Sequence, residues 1–212
     1  MLKHCLPAAI AILICGCGQN RSASKATDTT ATEVSITDTT GEKPVSAQQL
    51  ILPGQSIGTI NINENADSVL SKLGKPDAGD AAMGKSLSTW YAKHDTSGYE
   101  TQVFFSKQMG TADEASRVKQ IRITSPWFKT MDYMSTGMHL QTIESKKEFS
   151  LKKTARYTNG NRQFFTYNDA DAGIAFEIDD RNVCTGIIVH EPGKDVNASY
   201  IAFHPNAQLI TK

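Results

Sequence analysis

The chain has 212 residues, with 22 Lys plus Arg against 22 Asp plus Glu, a formal net charge of zero and four cysteines. Balanced charge without a basic block excludes a protein that grips nucleic acid through its phosphates. Three of the cysteines fall within the first 17 residues, so the remainder, with Cys184 alone, holds neither an internal disulfide nor a CxxC zinc pair.

The first element is MLKHCLPAAIAILICGC. Lys3 and His4 give a short polar start, Leu6 to Ile14 an apolar run broken by Pro7, and small residues lead into Cys17. The run is too short to span a bilayer, which takes about 20 residues, but it has the length of a secretory signal's central region. Ile14-Cys15-Gly16-Cys17 resembles the lipobox of bacterial lipoproteins. The resemblance implies a signal peptide over 1–16, cleavage after Gly16 and a lipid-bearing thiol on Cys17; Cys15 fits poorly because bulky Ile14 precedes it. An ordinary secretory signal is the alternative. Gly18 after the cysteine resembles outer-membrane sorting, so the expected address is the bacterial cell envelope, lipid-anchored, at the outer membrane.

Residues 17–49 are Thr, Ser, Ala and mixed charge with scattered Val34, Ile36 and Val45. That composition buries too little surface to offset ordering, and the stretch reads as a disordered tether with a reach of roughly 30 Å. Next, Ile62, Ala66, Val69, Leu70 and Leu73 recur at helical spacing. Asn63 or Asn65 can cap this helix, Gly74 can end it and Pro76 blocks its continuation. Strands are predicted over 87–94, 101–107 and 117–124.

A similar order then returns. A helix is predicted within 137–151, strands over 163–168, 173–179 and 183–190, and another over 199–204. In the middle strand Ile174, Phe176 and Ile178 share one face while Glu177 and Asp179 share the other. Trp90-Tyr91 answers Phe164-Phe165, and Val103-Phe104-Phe105 answers Ile174-Ala175-Phe176. The expected fold class is therefore α+β, as two tandem repeats of a helix packed on an antiparallel sheet, over 50–126 and 127–212, preceded by the tether.

Gly54-Gln-Ser-Ile-Gly-Thr-Ile60, the helix, Leu73-Gly-Lys-Pro-Asp77 and the Trp-Tyr strand resemble lipoproteins of the SmpA/BamE type. They are also similar to the tandem repeats of β-lactamase-inhibitor proteins. The likeness spans roughly 54–190, and Phe149-Ser-Leu-Lys-Lys153 departs from it by lacking the Gly and the Pro. It implies helices on one face of an antiparallel sheet, no catalytic residue, and binding to another protein.

Other motifs weigh less. Gly79-Asp-Ala-Ala-Met-Gly-Lys-Ser86 matches the phosphate-cradling pattern, but that loop must leave a strand and enter a helix, and here a helix precedes and a strand follows. Asn168 to Gly173 misses the acidic spacing of a calcium loop and reads as a hairpin turn. His94-Asp95 and His190-Glu191 are adjacent on strands and so point to opposite faces, making no ready dyad. Cys184 reads as a buried thiol.

Aromatic side chains carry the functional expectation. Trp127 and Phe128 follow Pro126 in a connector with Met131, Tyr133, Met134 and Met138, which is either a contact surface or a seam between the two units. Trp90, Tyr91, Trp127, Phe165 and Tyr167 are the candidate contacts for a protein partner in the envelope, with no cofactor, metal or nucleotide. An envelope hydrolase built on converging histidines and carboxylates, or a small-ligand or inhibitor module with a deep apolar cleft, are the alternatives.

Overall fold

An apolar helical stripe as short as the one ending at Leu73 needs a neighbouring surface, and the chain supplies it from its own sheet. The computed structural model describes residues 43–110, 114–197, 199 and 202–210. The expected signal, Cys17 and most of the tether lie outside the described residues.

Three two-residue strands come first: β1 (Ile51–Leu52), β2 (Ser56–Ile57) and β3 (Ile60–Asn61), paired antiparallel in chain order. Helix α1 (Ala66–Leu73) starts where Asn65 Oδ1 accepts the Asp67 amide at 2.8 Å, and it ends at Gly74, whose φ is positive. Strands β4 (Ala78–Ala82), β5 (Lys85–Tyr91), β6 (Glu100–Lys107) and β7 (Ser116–Ile123) follow. After a long connector come α2 (Leu140–Ser145), β8 (Lys152–Asn159), β9 (Arg162–Asp169), β10 (Ile174–Asp179), β11 (Cys184–His190) and the short β12 (Gln208–Leu209).

These last nine strands form one antiparallel sheet in the order β12-β8-β9-β10-β11-β7-β6-β5-β4. β7 and β11 join its two halves through the pairs Ile123–Ile187, Arg122–Ile188, Ile121–Val189 and Gln120–His190. This overturns the expectation of two tandem repeats, each a helix packed on a sheet. The residues of 50–126 and 127–212 contribute strands to a single continuous sheet, and the helices have only eight and six residues. The physical reason lies in the second helical window. His139 offers α2 no side-chain cap, and Lys147 takes a positive φ of 53°, so helix occupies only the middle of 137–151. The expected strand over 199–204 is also corrected: its described residues are irregular, and pairing comes later, at Gln208 and Leu209.

The first face of the sheet carries the main core. Val103, Phe105, Val118, Ile121, Ile123, Ile174, Phe176, Ile178, Ile187 and Val189 pack beneath Ile51, Ile57, Ile60, Val69, Met134, Leu140 and Ile143 from the small sheet, the helices and the connector. Each such side chain contributes about 1.5–3 kcal/mol by leaving water. The second face is partly covered by the described residues between Glu191 and Ile210, with Val196 and Phe203 against Ala175 and Ile188.

Candidate functional site

The connector between β7 and α2 decides what the first face presents. Lys129 donates its amide to Gln49 O at 2.9 Å and accepts from Ile51 N–H at 2.8 Å, so the connector lies parallel to the start of the fold. Pro126 then brings Trp127 and Phe128 to the rim of the small sheet. Their rings meet edge to face, with centroids 4.9 Å apart and planes at 80°. Gly58 permits this approach: its φ is +55°, and a Cβ there would lie 2.6 Å from Gln48 O and 3.0 Å from Phe128 Cε1.

An apolar cleft of about 250 Å³ opens beside these rings. Thr101, Ile121 and Ile123 of the main sheet form its floor, Ile57, Thr59 and Ile60 one wall, and Leu73 of α1 another, with Gln48 at the rim. Trp127 is 48 % exposed at the mouth, whereas the floor isoleucines are fully buried. A cleft that reaches the sheet through a rim of aromatic rings suits an apolar side chain or a small apolar group. Among the described residues that line it, none has a titratable side chain to act chemically.

The other expected contacts do not converge there. Trp90 is buried in the main core, and its Nε1 donates to Gly74 O at 3.1 Å, tying β5 to the exit of α1. Tyr91 alternates to the second face, half-buried, where its amide donates to Asp77 Oδ2 at 2.8 Å. Phe165 and Tyr167 share one face of β9 near the far edge of the sheet. The Lys153 ammonium sits 4.0 Å and 5.2 Å from their ring centroids. Tyr167 also packs against the core. Trp127 alone borders the cleft.

A second constellation, not read from the sequence, sits on the opposite face. Arg122 of β7 reaches Glu177 of β10 past Gly186, with Nε 2.9 Å and Nη2 2.8 Å from Glu177 Oε2, and its Nη1 donates to Glu100 Oε2 at 2.7 Å. His204 Nε2 lies 2.6 Å from Glu177 Oε1, and its ring stacks on Tyr157 at 3.6 Å between centroids. Complete burial opposes a charge on Glu177, but Arg122 and then His204 hold its carboxyl far below the usual range. Burial, reinforced by the Glu177 charge, pushes the Tyr157 phenol up. A cavity of about 170 Å³ lies beside Glu177 and His204. The signal for this cluster was the polar alternation within apolar strands, Gln120 and Arg122 in β7 and Glu177 in β10. The strand register that brings them together is non-local.

The remaining histidines and motifs resolve locally. His94 Nδ1 lies 2.6 Å from Asp77 Oδ1 rather than bonding its neighbour Asp95, and it stays exposed. His190 is buried, with Nε2 2.9 Å from Asn168 Oδ1 and Nδ1 3.0 Å from Glu191 O. Burial pushes its pKa down. Gly79 to Ala82 is strand β4, Met83-Gly84 its turn and Lys85 the start of β5, so the phosphate-loop pattern is a hairpin. Asp169 Oδ1 accepts the amides of Asp171 and Ala172 at 3.1 and 3.0 Å, the expected hairpin turn. Burial pushes the Cys184 thiol up, away from a reactive thiolate. Among the described residues no group of three or more His, Cys, Asp or Glu is placed to hold a metal, and no helix is long and apolar enough to cross a membrane.

No family model and no curated protein matches the chain. Among solved structures, the chain is similar to a DUF4309 family protein, YjgB of Bacillus subtilis subsp. subtilis str. 168. Identity is 8 % and the TM-score 0.40, over 65 % of this chain and 88 % of that one. A likeness at that level carries no argument about fold or function.

Proposed function

We propose that the protein is a lipid-anchored, non-catalytic binding module of the bacterial cell envelope, and that it grips a protein partner through the apolar cleft at Trp127. The observation that carries this reading is the half-exposed indole at the mouth of a cleft whose floor is buried, apolar sheet. Tryptophan is among the residues most enriched at interface hot spots, which gather in apolar pockets. The cleft, at about 250 Å³, falls below the roughly 300–1,000 Å³ of small-molecule sites and suits one or two apolar side chains of a partner.

Two experiments test the parts separately. A photo-crosslinking residue at position 127 in native membranes should give a discrete adduct that is lost when Thr59→Trp fills the cleft. Equal adducts from position 127 and from Asp80 on the far edge would defeat the cleft as the contact. The anchor is tested by metabolic labelling with a palmitate analogue, which Cys17→Ser should abolish.

A second reading, an envelope hydrolase, draws on His204 beside Glu177 in a cavity. Against it, the Glu177 charge is already met by Arg122, and no Ser, Thr or Cys hydrogen-bonds His204 among the described residues.

A further inference from the structure

The chain enters the fold beside the Trp127 cleft. Tyr133 Oη donates to Lys43 O at 3.2 Å, the Gln49 amide to Ser46 O at 2.9 Å, and Gln49 Nε2 to Trp127 O at 3.4 Å. The first described residues are thus tied to the connector, and Gln48 stands at the rim of the cleft itself. Lys43 is five residues upstream of that rim, so it lies at most about 18 Å from it.

Between Cys17 and Lys43 the only aliphatic side chains larger than alanine are Val34 and Ile36. Residues two apart in an extended chain point to the same side, roughly 7 Å from one another. Val34 and Ile36 therefore form one short apolar edge, with Ser35 turned away from it. Seven residues carry the chain from Lys43 back to Ile36, and they span up to about 24 Å. That reach exceeds the distance to the rim, so the pair has chain enough to double back into the cleft.

The cleft selects an occupant of that chemistry. Its floor is isoleucine, and its volume of about 250 Å³ admits one or two aliphatic side chains. Lys72, which donates to Thr59 O at the cleft wall at 2.7 Å, is already paired with Glu64 at 2.5 Å. Recognition there falls to apolar contact, and covering the half-exposed indole removes apolar surface from water.

We propose that Val34 and Ile36 of the chain's own N-terminal segment occupy the Trp127 cleft when no partner is bound, so that a partner must displace them. This regulation rests on the reading of the cleft as an apolar contact site. A connection this short holds the pair near the cleft at an effective concentration in the millimolar range, so even a weak self-contact competes with a partner.

The test compares acrylamide quenching of tryptophan fluorescence in the purified full chain and in Val34→Ser/Ile36→Ser. The chain has two tryptophans, and buried Trp90 stays shielded in both proteins, so a difference reports Trp127. The double variant should quench more steeply and emit further to the red, and the same two substitutions in a Trp127→Phe background should change nothing. A crosslinker at position 127 should also capture its partner several-fold more in the double variant. Equal quenching of parent and double variant overturns the self-contact. A difference that persists in the Trp127→Phe background puts the contact elsewhere and overturns it too. Partner site and self-contact fail separately. Partner adducts that Thr59→Trp abolishes, together with equal quenching, leave the partner site standing and remove the self-contact. A Trp127-dependent quenching difference without any partner adduct keeps the self-contact and removes the partner.

Discussion

Arg122 and Glu177 stand on strands that are not neighbours, yet the guanidinium of one holds both oxygens of the other's carboxylate at 2.8–3.1 Å. β11 runs between them, and the gap is open because Gly186 lies opposite Glu177. The side chains are 7 % and 0 % exposed. Arg122→Leu should therefore cost about 3–5 kcal/mol in urea denaturation, since it strands a buried carboxylate, whereas the Arg122→Leu/Glu177→Leu pair should recover most of that loss. A single variant as stable as the parent would mean that water reaches the pair.

Gly186 is itself a test of this geometry. A Cβ there would lie 2.3 Å from Glu177 Oε2, so Gly186→Ala should destabilise by about 1–3 kcal/mol and loosen the His204 contact. Proteolysis of the C-terminal segment reads that loosening directly, as faster cleavage in the variant.

Trp127 and Phe128 should part company under alanine substitution. Trp127→Ala is expected to weaken partner capture while stability stays within about 0.5 kcal/mol of the parent, because half of the indole is already in water. Phe128→Ala, against Gly58 and the core, should lower stability by about 2 kcal/mol. A large Tm loss from Trp127→Ala would restore the seam.

The edge strand β4 presents Ala78 to Ala82 to solvent, and its restraint falls to one residue. Asp80 Oδ1 accepts the Ala81 amide at 2.8 Å and puts a charge on an otherwise small, neutral edge. Asp80→Ala should raise self-association, seen as a concentration-dependent shift in sedimentation, with no loss of helix or sheet by circular dichroism.

Acidity should also leave a mark at Glu148. Partial burial, then its hydrogen bond to Asp132, raises this carboxyl to about 7. A raised folded pKa means that the stability it carries is complete below the unfolded value, near 4.5, and is lost as pH climbs to 7. Glu148→Gln should flatten the fall in Tm between pH 5 and 7. Glu177 acts with the opposite sign: its depressed carboxyl contributes fully above the ordinary carboxylate value, near 4.5, and loses that contribution progressively as pH falls below it.

Much of the strand pattern could be read from residues alone. The windows around 101–107, 117–124 and 173–179 became β6, β7 and β10, because β-branched and aromatic alternation is a local property. The faces of β10 also came out as expected, Ile174, Phe176 and Ile178 inward, although Glu177 and Asp179 opposite them are buried rather than wet. Local pattern does not reveal β4 and β8: Ala78–Ala82 has poor strand composition and pairs only because a two-residue turn returns it to β5, and Lys152–Asn159 is polar and follows directly on the helix predicted within 137–151.

Sequence by itself determined the local items: a cap at Asn63 or Asn65, which the structure resolves to Asn65, the exit at Gly74, the alternation of the strands and the composition that sets residues 17–49 apart. Tertiary structure alone decided that β7 meets β11 and so fuses the strands into one sheet, that Trp127 stands at a cleft while Trp90 is core, and that Arg122, Glu177 and His204 share a buried charge cluster. The reason is physical. Capping and periodicity act over a few bonds, whereas strand register and burial depend on partners far along the chain, 55 residues between Arg122 and Glu177 and 27 between Glu177 and His204.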